Sequence, residues 1–414
     1  MNWNAWSLIA LAAILPWNGI AEPQSIVDRN KVEQGLVICN EYSYVAVMNP
    51  SRNDGKFGAR DFRIMPLTRS DQSRTLDENE AMFRFLLRAD CQVFGMVGKN
   101  RRTLAGNGEW SLKPAGDSGV AMARTFGPEN QGVAVTVDMV LDRRRSTLDW
   151  VVKFANRGEK DYIVDFLPTA YTLIQELRPL RLVLPRMVVR YQIGGKVEFW
   201  RNELTVLDND YEKYWWRKAA EDVKPNYIQN LYLEKIEFNH PRILPPQSFG
   251  LVELRGNAAL IFEFPEDVKM GTLELRWQKD IAQMTPMIET VLKPGENREI
   301  KFRTIMVRGL ERYDNIEDGW VFAYLPTGDT LRMVSAPLAP TDRISVNLNL
   351  NDQRGTSLIN QRSEMAAMNP FRPGVLAYRT TVPFVAGERY PVKMVLNLVK
   401  DNSRLLEVAG EVAP

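Results

Sequence analysis

The chain holds one histidine, His240, and this count decides most of what chemistry it can do. A histidine pair acting as general acid and base has no second member. Ser-His triads and hydrolytic metal sites are weakened for the same reason. His240 stands in Phe238-Asn239-His240-Pro241, directly after a strand-like run. Beside Asn239, and with Tyr232 or Tyr214 and Arg217 brought in from elsewhere, it offers a base, an amide and a cation around one point. Those are the groups with which a lyase takes a proton next to a uronate. A turn histidine bonded to backbone satisfies the same spacing. The sequence contains no GxSxG, HExxH, phosphate-loop or dinucleotide pattern.

The most unusual local composition is Tyr211-Glu212-Lys213-Tyr214-Trp215-Trp216-Arg217, with Trp200 shortly before it. Adjacent Trp215 and Trp216 cannot share one helix face. In a helix one ring packs inward, and the other is left beside Arg217 to stack on a flat apolar ring such as a sugar. The competing reading is that both rings cap a core. The binding set is therefore Trp200, Tyr211, Tyr214, Trp215, Trp216 and Arg217. Among carboxylates on strand-like runs, Glu253 and Glu263 are unplaced. Alternation expects Glu274 and Asp165 to face solvent.

The elements that must carry these residues are strands. Leu148, Trp150, Val152 and Phe154 alternate with polar or exposed-type positions, Asn156–Lys160 supplies turn chemistry, and Tyr162, Val164 and Phe166 restart the pattern. This predicts a β-hairpin over Ser146–Gln175. Val133 to Leu141 predicts a strand before it, joined through Arg143-Arg144-Arg145. Leu231–Phe238, Phe249–Leu254, Ala258–Phe264, Thr272–Trp277 and Arg298–Val307 predict further strands. Pro179–Val189 reads as edge or irregular structure. Asp208–Val223 is the one helical candidate, and Asn49–Asn79 reads as a long loop. Leu310–Gly319 is polar and predicts a boundary, after which Val346, Leu348, Leu350 and Val392, Met394, Leu396, Leu398 alternate as in an immunoglobulin-like sandwich.

Composition bounds the rest. The chain has 414 residues, with 45% hydrophobic, 25% charged and a net charge of +2. That balance argues against a nucleic-acid partner, and the basic runs Lys99–Arg102 and Arg143–Arg145 read as solvated turns. Leu8–Leu15 is an apolar run too short to span a bilayer, and Gly19-Ile20-Ala21 offers a cleavage site, so residues 1–21 read as a signal peptide. No Lys or Arg precedes the run. The expected location is extracytoplasmic, periplasmic or secreted, with no membrane span in the mature chain. Cys39 and Cys91 are the only cysteines, and in an exported chain they predict a disulfide. No metal or cofactor is expected from the spacing of ligand-type residues.

Leu148–Gly158 (LDWVVKFANRG), Ile243–Leu254 (ILPPQSFGLVEL) and Val291–Phe302 (VLKPGENREIKF) resemble segments of the galactose-mutarotase-like supersandwich superfamily. There a strand ending in Asn-x-Gly often precedes the central hairpin, and Pro-Gly-Glu often precedes a late strand. The resemblance spans roughly Leu36–Leu310 and implies a large antiparallel double sheet tied to carbohydrate. It does not bring the histidine pair of the aldose epimerases with it.

The fold expected is thus all-β: a supersandwich over residues 22–310 with a short helical insertion, then an immunoglobulin-like sandwich over 319–414. The function expected first is non-catalytic binding of a polysaccharide or a cell-envelope protein. A polysaccharide lyase using Asn239, His240 and Tyr232 is the alternative, and a structural or assembly module the third.

Overall fold

In a computed structural model of the chain, the residues described are 24–27, 34–40, 43–48, 62–68, 85–116, 118–128, 130–173, 180–183, 190–193, 196–199, 203–206, 232–237, 248–253, 258–268, 270–278, 281–386 and 388–412. Their regular elements are all strands. The N-terminal part contains Gln24–Val27 (β1), Gln34–Cys39 (β2), Ser43–Met48 (β3), Phe62–Thr68 (β4), Phe85–Val97 (β5), Asn100–Thr103 (β6), Gly106–Pro114 (β7), Gly119–Phe126 (β8), Val133–Leu141 (β9), Thr147–Asn156 (β10) and Tyr162–Leu173 (β11). Next come Leu180–Val183 (β12), Arg190–Ile193 (β13), Lys196–Phe199 (β14), Glu203–Val206 (β15), Tyr232–Glu237 (β16), Ser248–Glu253 (β17), Ala258–Glu263 (β18), Met270–Gln278 (β19), Ile281–Leu292 (β20) and Asn297–Arg308 (β21). The C-terminal part contains Asn315–Glu317 (β22), Trp320–Thr327 (β23), Thr330–Pro337 (β24), Ile344–Asn351 (β25), Ser357–Met365 (β26), Gly374–Arg379 (β27), Tyr390–Leu398 (β28) and Arg404–Val412 (β29).

Two large antiparallel sheets form the first unit. The first runs β1-β2-β3-β4-β5-β11-β20-β19-β16, with β6 on β5. The second runs β15-β12-β17-β18-β21-β10-β9-β8-β7. Their facing sides alternate as the sequence does. Val133, Val135, Val137, Met139 and Leu141 from β9 and Leu148, Trp150, Val152 and Phe154 from β10 meet Val164 and Phe166 from β11 in one core. Aromatic rings join the layers: Phe166 of β11 meets Phe154 of β10 at 6.4 Å and Phe302 of β21 at 6.2 Å between ring centroids. The Trp150 indole N–H donates to Thr304 Oγ1 at 3.0 Å, so this large core side chain buries no orphaned donor.

The expected hairpin is corrected. β10 pairs with β9 and β21 in one sheet, while β11 pairs with β5 and β20 in the other. Residues 157–161 are an arch between sheets. Period-two alternation tells which face a residue takes, not which strand it pairs with. The pairing of β9 with β10 follows the expected meander. The segment around Pro179 is also corrected, because β12 lies between β15 and β17 rather than at an edge.

The second unit has two four-stranded sheets, β22-β23-β24-β27 and β26-β25-β28-β29, enclosing a separate core that includes Phe322, Tyr324, Leu348, Tyr378 and Met394. Its first strand, β22, lies inside the polar stretch read as a linker. The two units are not strung apart. Val252, Ala259, Ile261, Ile305 and Val307, on the outer side of the first unit's second sheet, form one buried cluster with Val321, Ala323, Val334 and Ala336 of β23 and β24. This is why β18 is apolar at consecutive positions: both of its faces are covered. Phe371, from the loop before β27, packs against the first unit's own core. Arg308 N–H donates to Pro370 O at 2.9 Å, and Ser146 N–H to Leu338 O at 2.8 Å.

The expected disulfide is not formed: Cys91 is a free, buried thiol. Strand order explains it. Cys39 on β2 and Cys91 on β5 belong to one sheet with β3 and β4 between them. Three inter-strand spacings amount to about 14 Å, twice what a disulfide can bridge. Burial raises the Cys91 thiol well above its ordinary pKa, with Asp90 and Asp165 adding to the effect.

Candidate functional site

The sequence-derived sites fall largely outside the described residues. Trp200, Tyr211, Tyr214, Trp215, Trp216 and Arg217 lie there, as do the helical candidate 208–223, Asn239 and His240. Tyr232 opens β16, the edge strand of the first sheet, opposite Trp277 of β19. Glu253 and Glu274 lie on β17 and β19. Glu263 is held in an ion pair with Arg303 of the neighbouring strand β21.

The described residues bring together a different group, on the side of the first sheet turned away from the core. Alternation on β5 sends Ala89, Cys91 and Val93 inward, so Asp90, Gln92 and Phe94 take the other face. On β11, Val164 and Phe166 go inward, leaving Ile163, Asp165 and Leu167 outside. Register then aligns two rows across β5, β11 and β20. Phe94, Ile163 and Val291 make an apolar row, and Gln92, Asp165 and Glu289 make a polar row beside it.

Arg101 of β6 crosses these rows. Its guanidinium lies 5.9 Å from the Phe94 ring centroid, within cation–π range. It donates to Glu289 Oε2 at 2.8 Å and stands 3.9 Å from Asp165 Oδ2. The Asp165 side chain is only 8% exposed, against 45% for Arg101 and 36% for Glu289. A buried carboxylate is tolerated where a cation stands close. Further along, Asp90 accepts from the Gln92 amide at 3.4 Å.

Below the polar row the ladder between β11 and β20 breaks. Paired register stops at Phe166–Ile288 and resumes at Ala170–Met284, so Pro168 and Pro286 occupy the gap. Neither proline has an N–H to give. On the site's face of that gap the hydroxyls of Thr169 and Thr285 bond each other at 3.0 Å, both residues buried.

Asp165 corrects an expectation: it is 5% exposed, not solvent-facing. The signal was present in its neighbours. Ile163 and Leu167 share its face and are apolar and half-buried, so the acid between them is an exception there. The role of Arg101 was hidden, because Lys99-Asn100-Arg101-Arg102 reads as a plain basic turn until β6 is folded back on β5.

No protein-family model matches this chain, and no curated protein matches it in sequence. Solved structures do resemble it. A galactose mutarotase-like protein from Lactobacillus casei is 12% identical with TM-score 0.43, over 66% of this chain and 99% of that one. A galactose mutarotase related enzyme from Lactobacillus acidophilus is 9% identical with TM-score 0.41, over 67% and 98%. A putative aldose 1-epimerase from Escherichia coli is 11% identical with TM-score 0.40, over 67% and 99%. The similarity is one of chain path.

Proposed function

We propose that the chain is an exported, non-catalytic protein that binds a neutral carbohydrate on the outer face of its first sheet. The observation that carries this reading is the apolar row Phe94–Ile163–Val291 running beside Gln92, Asp165 and Glu289, with Arg101 across both. A pyranose has a flat apolar face and a polar edge, and this surface offers a counterpart to each. Carboxylates take hydroxyl protons, and an arginine fork gives N–H groups back. At the apolar row itself, the carboxylates of Asp165 and Glu289 stand against the one guanidinium of Arg101, with Arg88 further along the face, opposite Thr169. That balance disfavours a uronate and so weighs against the lyase alternative.

Export is part of the reading and rests on the apolar run Leu8–Leu15 with Gly19-Ile20-Ala21 after it. The C-terminal unit we read as an immunoglobulin-type sandwich. Its supporting observation is strand order: β23-β24-β27 against β26-β25-β28-β29 places the third, fourth, sixth and seventh of these strands together, as C, C′, F and G in such domains.

The test is a glycan-array screen of the full chain beside Asp165→Asn, Glu289→Gln and a Trp215→Ala/Trp216→Ala variant. Neutral-glycan binding that Asp165→Asn and Glu289→Gln each weaken about tenfold or more, a loss of one charged hydrogen bond, supports the sheet-face site. Binding lost only in the tryptophan variant moves the site to that segment. No glycan bound by the parent chain overturns the carbohydrate reading.

A further inference from the structure

The β5–β6 hairpin ends in a tight turn with an apolar tip. Val97 pairs with Asn100, leaving Gly98 and Lys99 as a two-residue turn, and Gly98 has a φ of 61°, the left-handed conformation such a turn needs. At its tip Met96 is 44% exposed and Val97 60%. Val291, 48% exposed, lies on the same end of the sheet, because Phe94, Ile163 and Val291 share a row. Single exposed apolar side chains need no explanation, but Met96 and Val97 adjoin at one turn.

Charge surrounds them. Residues 96–103 carry Lys99, Arg101 and Arg102 and no acid. Register brings Lys293 and Lys160 to the same end, since Tyr162 pairs with both Gly95 and Leu292. Glu159, Asp161 and Glu296 occupy the flanking turns, and Glu296 accepts a hydrogen bond from the Lys293 backbone N–H at 2.8 Å. Glu289 is engaged by Arg101. Residues 96–103 are therefore cationic, and carboxylates outside them stand at Arg101, from Asp165 and Glu289, and on the neighbouring turns, from Glu159, Asp161 and Glu296.

We propose that this hairpin docks the protein on an anionic phospholipid surface, Met96 and Val97 entering the headgroup boundary while Lys99 and Arg102 meet the phosphates. A soluble polyanion would engage the cations and leave two bare apolar side chains in water. An apolar tip inside a cationic collar is matched by a surface that is charged outside and apolar beneath. The attachment is peripheral and reversible, because one tip buries too little to anchor a chain.

The test is co-sedimentation of the full chain with vesicles of phosphatidylcholine alone and of phosphatidylcholine mixed with phosphatidylglycerol. Two variants accompany it, Met96→Ser/Val97→Ser and Lys99→Gln/Arg102→Gln. All four positions are exposed, and unchanged far-ultraviolet dichroism verifies the fold. The parent should bind the mixed vesicles and release in high salt. The charge variant should bind about 30-fold more weakly, near fivefold per cation, and the apolar variant should also be weakened. No binding to mixed vesicles, equal binding to both compositions, release by soluble glycerol phosphate, or full binding by both variants would overturn the proposal.

Discussion

Asn156 Nδ2 donates to the carbonyl of Leu292 at 3.2 Å, joining the last residue of β10 in one sheet to the last residue of β20 in the other. The same amide donates to Lys160 O at 2.8 Å, and its Oδ1 accepts from Gly158 N–H at 2.8 Å. The backbone is tied as well: Asn156 N–H donates to Glu296 O, and Gly295 N–H to Asn156 O. Two arches that connect the sheets, one after β10 and one after β20, are thus stitched together by one buried side chain. Gly158 has no substitute there, because a Cβ would sit 2.3 Å from Gln131 O. Asn156→Ala strands buried carbonyls and an N–H, and is expected to lower unfolding free energy by about 2–3 kcal/mol. Urea denaturation with an unchanged m-value would verify it, and a shift below about 0.5 kcal/mol would refute it.

Cys91 gives a second test. In a C39S background the native protein should resist a water-soluble thiol reagent at mildly alkaline pH. It should react stoichiometrically once unfolded, because burial both hides the thiol and raises its pKa. Reductant should leave the melting temperature of the parent chain unchanged. A fall on reduction would mean that the strand order β2-β3-β4-β5 is wrong.

Phe371 belongs to the second unit and packs into the first. Phe371→Ala should cost about 2–3 kcal/mol, below a fully buried phenylalanine because the residue is half-buried. The loss should appear in a probe of either unit. A change confined to the C-terminal sandwich would show that this contact carries no coupling.

Asp149 lies on the outer side of β10, and partial enclosure raises its carboxyl pKa while Arg303 pulls the other way. A raised acid binds its proton more tightly folded than unfolded. Its contribution therefore favours folding at low pH, and is lost as pH climbs from the ordinary carboxylate value to the raised one. Asp149→Asn should be slightly stabilising at neutral pH and neutral in effect below the ordinary value. Melting temperatures across that range decide it, and destabilisation at neutral pH would show that the Arg303 attraction dominates.

Strand positions were legible because alternation is written into β9, β10 and β25 residue by residue. Partners were not. The Asn156–Lys160 stretch has hairpin chemistry, yet the register of β10 with β21 and of β11 with β5 is decided by residues more than sixty positions away. Asn156-Arg157-Gly158 and Pro294-Gly295-Glu296, quoted separately for the resemblance, are hydrogen-bonded to each other, a contact that neither local rules nor the resemblance states. The candidate site was illegible for the same long-range reason. Arg101 and Glu289 are 188 positions apart and meet only when β6 folds onto β5 and β20 joins β11. Asp165 was misread as solvent-facing, although it stands between the apolar Ile163 and Leu167 on its face.

The cluster shared by β17, β18, β21, β23 and β24 makes the polar stretch at 310–319 a boundary in sequence but not in cooperativity. Four sheets are stacked, and the second and third meet through aliphatic side chains. Splitting the chain there would leave each piece with a sticky apolar wall. The pair should therefore melt as one calorimetric unit, and a gene cut at that point should yield aggregates rather than two modules.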